Sequence, residues 1–158
     1  MMKEIERKFR VDSADYKSMA VSKSHIAQWY LSSDKERTVR VRIRDDKAYL
    51  TIKGLTQGVS RDEFEYEIPL SDAQSMKEMA EGIVIEKTRW IVYFAGKRWE
   101  VDEFHGELQG LTVAEIELRS ETEEFQLPPF VGIEVSADPR YYNSVLASGE
   151  IDPAILIR

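Results

Sequence analysis

The sequence predicts an α+β fold in which antiparallel strands hold the majority. Three observations carry this: stretches of residues alternate polar and apolar side chains with a period of two, the links between them are short and polar, and helical signals are few. The first strand is expected at about residues 3 to 11, where Glu4, Glu6 and Lys8 take one parity and Ile5, Phe9 and Val11 supply most of the other. A short helix follows at about 13 to 20, capped by Asp12 or Ser13. Strands come next at about 25 to 32, 36 to 45, 47 to 54 and 61 to 69, and Ser33, Asp34 and Lys35 or Asp45 and Asp46 make links that suit hairpins better than parallel crossovers. Ser71, with Gln74 three residues on, opens a capping box for a helix to about Glu81, with Gly82 ending it and Met76 and Met79 facing inward. Strands at about 83 to 95 and 97 to 104 turn at Gly96, a further one lies at about 112 to 119, and a last helix runs from near Pro139 to about 148, closing at Gly149. These eight strands are enough to close a barrel.

At 158 residues the chain fits one domain, 1–158, large enough to bury a core. A net charge of -7 argues against a general nucleic-acid or acidic-membrane binder, because such proteins carry a basic surface. The absence of cysteine excludes disulfides, zinc-thiolate sites and a cysteine nucleophile. With no apolar signal region and no run long enough to cross a bilayer, a cytoplasmic location is the simplest expectation.

Parity separates the strands' residues sharply. Arg40, Arg42 and Arg44 alternate with Val39, Val41 and Ile43, while Arg61, Glu63, Glu65 and Glu67 alternate with Phe64, Tyr66 and Ile68. Thr51 and Lys53, Lys87 and Arg89, Glu100 and Asp102, and Glu115, Glu117 and Arg119 repeat the arrangement. A sheet with one solvated face would also alternate. A solvated face, however, draws on Thr, Ser, Asn and Gln, whereas these positions are nearly all ionised. The other reading is a barrel with apolar faces outward and charges lining a wet interior, which requires those charges to be paired, hydrated or ligated. Carboxylates without histidine or cysteine partners suit a hard cation, Mg²⁺ or Mn²⁺, and arginines and lysines suit phosphate. Lys8, Arg40, Arg42, Lys53, Arg61, Lys87 and Arg89 set against Glu4, Glu6, Glu63, Glu65, Glu100, Asp102, Glu115 and Glu117 leave such a lining at -1, so a divalent ion would be needed to make it attract a triphosphate.

E-I-E-R-K at Glu4 to Lys8 resembles the ExExK signature of the CYTH superfamily, the triphosphate tunnel metalloenzymes. T-V-R-V-R at 38 to 42, T-I-K-G at 51 to 54, R-D-E-F-E-Y-E-I-P at 61 to 69, E-K-T-R at 86 to 89, W-E-V-D-E-F at 99 to 104, A-E-I-E-L at 114 to 118 and G-I-E-V at 132 to 135 resemble its compact bacterial branch, in the same order. The resemblance implies a closed eight-stranded antiparallel tunnel with a charged interior and a few peripheral helices, acting on a triphosphate with a metal. It implies metal ligation by Glu4, Glu6, Glu115 and Glu117, helped by Asp102 and by Glu63 or Glu65, and phosphate binding by Lys8, Arg40, Arg42, Lys53, Lys87 and Arg89, with Arg61 beside them. Lys8, a carboxylate such as Glu63, or a hydroxide on the metal would take the water's proton, and Glu65 joins Glu63 as a candidate. Inorganic tripolyphosphate is the first substrate expected. Nucleoside or thiamine triphosphate hydrolysis, class IV adenylate cyclase activity and non-catalytic polyphosphate binding are the alternatives, in a monomer or homodimer. Trp29, standing where relatives have a small residue, is expected to pack outside the tunnel, and the Arg140, Tyr141 and Asn143 stretch to dock as an ordinary helix. His25 and His105 lack metal-ligand spacing and are read as structural, and Gly54 and Gly58 do not form a phosphate-binding loop.

Overall fold

In the computed structural model, which describes residues 2–157, the chain forms that barrel. The strands are β1 (Met2–Val11), β2 (Ser22–Ser32), β3 (Arg37–Arg44), β4 (Lys47–Gly54), β5 (Ser60–Ile68), β6 (Glu81–Phe94), β7 (Lys97–Phe104), β8 (Thr112–Glu117) and β9 (Val131–Glu134). They pair antiparallel in the order β5-β4-β3-β2-β6-β7-β8-β1-β9, and a further pairing of β5 with β1 closes the cylinder. β1 makes the closure because its sides serve different partners. Glu6 to Arg10 pair with β8, Met2 to Ile5 pair with the start of β5, and Phe9 and Val11 pair with β9.

The hairpin links lie where the sequence predicts them. Asp45, at φ 55, turns β3 into β4 and uses its own Oδ1 to accept the His25 backbone N–H at 3.0 Å. Ala95 and Gly96, both at positive φ, turn β6 into β7, the geometry that matches the twist of a two-residue hairpin.

Several expectations need correction. β9 is an additional strand, only four residues long; its Gly132 leaves room for the Asp12 carboxylate, whose Oδ2 would lie 2.3 Å from a Cβ there. The helix of the capping box starts one residue earlier, as α2 (Leu70–Met76), with Pro69 at the N-cap position and no side-chain cap. It gives way to a 3₁₀ turn over Lys77–Met79, so Met76 packs inward while Met79 is 65% exposed. Gly82 is no helix stop: it lies in β6 at φ +73, with Ala147 O where a Cβ would go. The first helix, α1 (Tyr16–Met19), has Asp15 rather than Asp12 or Ser13 at its N-cap position and is anchored by buried Tyr16. The final segment divides into a 3₁₀ turn at Pro139–Tyr141, α3 (Asn143–Leu146) and the unexpected α4 (Pro153–Ile157). No helix is long and apolar enough to cross a membrane among the described residues.

Most of the apolar core lies outside the cylinder. Ala73 and Met76 of α2 cover Trp29, Val41 and Ala48 on the outer face of β2 to β4. Tyr16 of α1 and Phe130 cover Phe9, Val92, Trp99, Val101 and Ile116 on the opposite side. The third cluster is internal. Ile85 and Phe104 share a parity with Lys87 and its partner position, and with Val113 they meet Tyr141, Leu146 and Leu156 of the C-terminal segment. That segment therefore closes one end of the barrel rather than docking as a single helix on its side. Trp29, expected outside the tunnel, is fully buried in the outer cluster and donates its Nε1 hydrogen to Met76 O at 3.1 Å.

Trp29→Ala should cost about 3–5 kcal/mol in denaturant unfolding, the usual range for deleting a buried tryptophan. Because the side chain faces away from the lumen, the folded fraction should keep its charged interior and its activity, which assay at a temperature well below the melting transition would check.

Candidate active site

Closure turns one parity of each strand inward, and the ionised residues singled out by the sequence meet there. Lys8, Arg40, Arg42, Lys53, Lys87, Arg89, Asp102 and Glu115 are all buried, and Glu4, Glu6, Glu63 and Arg61 are partly so. Burying ions is tolerable only with compensation. The pairings form three groups.

In the first, Glu4 accepts from Lys53 Nζ at 2.8 and 3.0 Å and from Arg61 Nε at 3.2 Å, and Glu63 lies 3.3 Å from the same lysine. Burial raises the Glu4 pKa, but Lys53 and hydrogen bonds from Glu63 and Lys53 outweigh it and hold Glu4 well below the carboxylate range. Glu63 bears the reverse effect: burial and the hydrogen bond to Glu4 push it up to about 7.

In the second, Lys8 Nζ donates to Tyr141 O at 2.8 Å and lies 3.4 Å from Glu115. Burial opposes the charge on Lys8, yet Glu115 and Glu6 raise its pKa, so this residue is a cation and a donor. The β1–β8 register sets Glu6 opposite Glu117 and Lys8 opposite Glu115. Burial, Glu115 and Glu4 push Glu6 up to about 8.

In the third, Asp102 receives Lys87 Nζ at 2.7 Å and Arg89 Nε and Nη2 at 2.8 and 2.9 Å. Sequence reasoning places Asp102 with the metal ligands; in the fold both its oxygens hold cations in place. Although burial works against it, Arg89 and Lys87 keep Asp102 ionised far below its usual range. One carboxylate shared by two buried cations leaves a positive surplus, and burial together with Arg89 and Arg42 pushes Lys87 down to about 7.

The outer limits of the set are Glu65 and Glu117. Glu65 accepts from Thr51 Oγ1 at 2.8 Å and lies 3.6 Å from Arg40, with its side chain 43% exposed. Glu117 is exposed. Sequence reasoning also missed residues. Gln28, fully buried, accepts from Arg42 Nε and Nη2 at 2.9 and 2.8 Å, and Tyr30 lines the cavity with Glu4, Glu6, Lys8 and Arg61. Their signal was parity in β2, where Ile26, Gln28 and Tyr30 face inward, hidden because this strand is apolar or buried on both sides. His25 and His105 stay outside this set; Thr88 Oγ1 and His105 Nε2 are 2.8 Å apart.

The donor chemistry fits a hard divalent cation. Glu4, Glu6 and Glu115 offer only oxygen, Glu115 Oε1 is buried without a hydrogen bond, and a cation among them would relieve the repulsion that raises Glu6. Among the described residues no three of these acids stand together as a ready coordination cluster, since Glu4 is drawn to Lys53 and Arg61 and Glu115 to Lys8.

A model of the CYTH domain matches residues 2–142. The chain is 50% identical over 147 residues to an inorganic triphosphatase of Acetivibrio thermocellus, covering 92% of this chain and 94% of that protein. It is 34% identical over 150 residues to an inorganic triphosphatase of Nitrosomonas europaea, covering 92% and 97%. Among solved structures, a crystal structure of an inorganic triphosphatase aligns with a TM-score of 0.66 at 30% identity, covering 94% of this chain and 96% of that one.

Asp102→Asn leaves Lys87 without its carboxylate, and should cost about 3–5 kcal/mol at neutral pH, as breaking a buried ion pair does. The folded-state pKa of Asp102 lies below its unfolded value, so its stabilisation is complete above about pH 4 and is lost as pH falls below it. Denaturant unfolding of both proteins between about pH 6 and pH 3 should therefore show the gap narrowing toward acid. A gap that stays constant would count against the pairing.

Proposed function

The chain belongs to the CYTH domain family, and from that membership we propose that it hydrolyses inorganic triphosphate with the help of a divalent cation. The observation that carries the reading is the lumen itself: cations from five different strands converge with carboxylates inside one closed cylinder, a lining that suits a highly charged ligand. The names of two relatives, at 50% and 34% identity, point the same way. The apolar plug of Ile85, Phe104 and Val113 favours inorganic triphosphate over a nucleotide, since a base and ribose would have to project from the other openings.

The chain's residues divide the work. Lys87 and Arg89, fixed by Asp102, and Arg40, Arg42 and Lys53 hold phosphate oxygens and offset the charge that develops on the transferred group. Glu4, Glu6 and Glu115, with Glu117 at the rim, would hold the cation; Mg²⁺ and Mn²⁺ both suit an all-oxygen donor set. When bound, that ion supplies charge neutralisation and Lewis-acid polarisation of the phosphoryl group. Of the groups expected to accept the water's proton, Lys8 is held charged and donates to Tyr141 O, and Glu65 is tied to Thr51 near the surface. Glu63, beside Glu4 and Lys53 in the lumen, is the carboxylate left in position to do so.

Purified protein should release phosphate from tripolyphosphate faster than from ATP or thiamine triphosphate, form no cyclic AMP, require Mg²⁺ or Mn²⁺ and stop on addition of a chelator. Glu6→Ala and Arg42→Ala should each lower turnover about 30-fold or more, which corresponds to ~2 kcal/mol of transition-state stabilisation. Wild-type turnover in both variants would remove these residues from the mechanism.

A further inference from the structure

The lumen cations are not equivalent. Lys8, Arg40, Lys53, Arg61, Lys87 and Arg89 each have a carboxylate oxygen within 4 Å. Among the described residues Arg42 has none. Its partner is the neutral amide of Gln28, whose Oε1 takes both Nε and Nη2 in one fork. The β2–β3 register fixes this, setting Gln28 directly opposite Arg42, and no solvent reaches Gln28. An amide oxygen orients a guanidinium as a carboxylate would, but it leaves the positive charge standing. Two buried donors beside it also lack an acceptor among the described residues: Gln28 Nε2 and Arg40 Nε. Leaving such donors unmet is costly unless a ligand meets them. Burial and the charges of Arg40 and Arg89 push Arg42 down to about 9, outweighing the opposite effect of Asp102 and Glu100.

We propose that Gln28 is a positioning residue for phosphate recognition: it fixes Arg42 without neutralising it, so that Gln28, Arg40 and Arg42 form the corner of the lumen that receives a phosphate group. The inference rests on the triphosphatase reading and assigns the anion-receiving pole of the same site. The carboxylates of β1 and β8 form the other pole. A glutamate at this position would complete an ion pair of the kind Asp102 makes, satisfying Arg42 in the empty protein and competing with the substrate.

Gln28→Glu and Gln28→Met separate this role from space filling. Gln28→Glu should melt at or above the wild-type temperature while its KM for tripolyphosphate rises about tenfold or more and kcat changes much less, because the glutamate is displaced from Arg42 when substrate binds and its cost falls on the bound and transition states alike. Gln28→Met should melt lower and lose about tenfold in kcat/KM, since Arg42 is then buried with neither partner nor orientation. A Gln28→Glu protein with wild-type KM overturns the proposal. Should that variant not fold, Gln28→Met decides: unchanged kcat/KM overturns it, and the tenfold loss supports it. If the wild type releases no phosphate from any triphosphate, the functional reading falls, and calorimetric titration of tripolyphosphate with Mg²⁺ into wild type and Gln28→Glu decides the inference separately. Weaker binding by the variant supports the corner, and equal binding overturns it.

Discussion

The structure depends on mutual compensation of buried charge. Placing lysine, arginine, aspartate and glutamate inside a closed cylinder removes them from water, a loss of several kcal/mol per ion that only close partners can offset. This requirement explains why the lumen is a lattice of ion pairs and why strand register matters so much. A slip of one residue in a strand would turn its charges outward and its apolar side chains into the lumen. β1 secures the register by pairing on one side with β8 and on the other with β5 and β9 in succession.

Compensation is uneven, and the unevenness gives the site its direction. Glu4 is shared by Lys53 and Arg61 and stays ionised, while burial raises Glu63 and Glu6 toward neutrality, helped by Glu4 beside Glu63 and by Glu115 and Glu4 beside Glu6. Asp102 is shared by Lys87 and Arg89, leaving Lys87 in positive surplus. Arg42 meets an amide instead of an acid. The lumen therefore has an end where protons or a cation are wanted and an end where an anion is wanted, although its formal charge almost cancels.

Much of this was legible before the fold. Period-two patterning is clear in β3, β5 and β8, so Arg40, Arg42 and Glu115 could be assigned to one surface from sequence. The same logic fails in β2, where Ile26, Gln28, Trp29 and Tyr30 are buried on both faces and no alternation remains to be read. Asp102 has the residue type and parity of a metal ligand; only the three-dimensional meeting with Lys87 and Arg89 shows that its oxygens are committed. The capping box failed for a local reason: Pro69 already supplies the extended N-cap geometry, so the helix starts before Ser71 can cap it. β9 and α4 carry too few residues for a period to emerge, and β9 forms because the edge of β1 left open beyond β5 still needs hydrogen-bond partners.

A lumen of this kind contributes little net stability, since ion pairs in a buried setting at best repay their desolvation. The fold must therefore be held from outside. Trp29 under α2, and Trp99 packed against Phe9 and Phe125 at centroid distances of 5.6 and 5.8 Å, place the largest side chains on the exterior of the cylinder. Each buries the apolar area that ordinary proteins bury at the centre. The division has a functional consequence. Because most of the stabilising contacts lie on the outer faces of the strands, the interior is free to be selected for binding charge, and its pairs can be opened by a ligand without dissolving the core. The exception is the end where Ile85, Phe104 and Val113 meet the C-terminal segment, the one place where the interior itself is apolar. There Lys8 donates to Tyr141 O, so the plug that closes the barrel is hydrogen-bonded to a residue of the charged lining. Closure of that end and the arrangement of the charged site are thus coupled through Lys8, and Tyr142, Asn143 and Ser144 of the same segment line the cavity beside it.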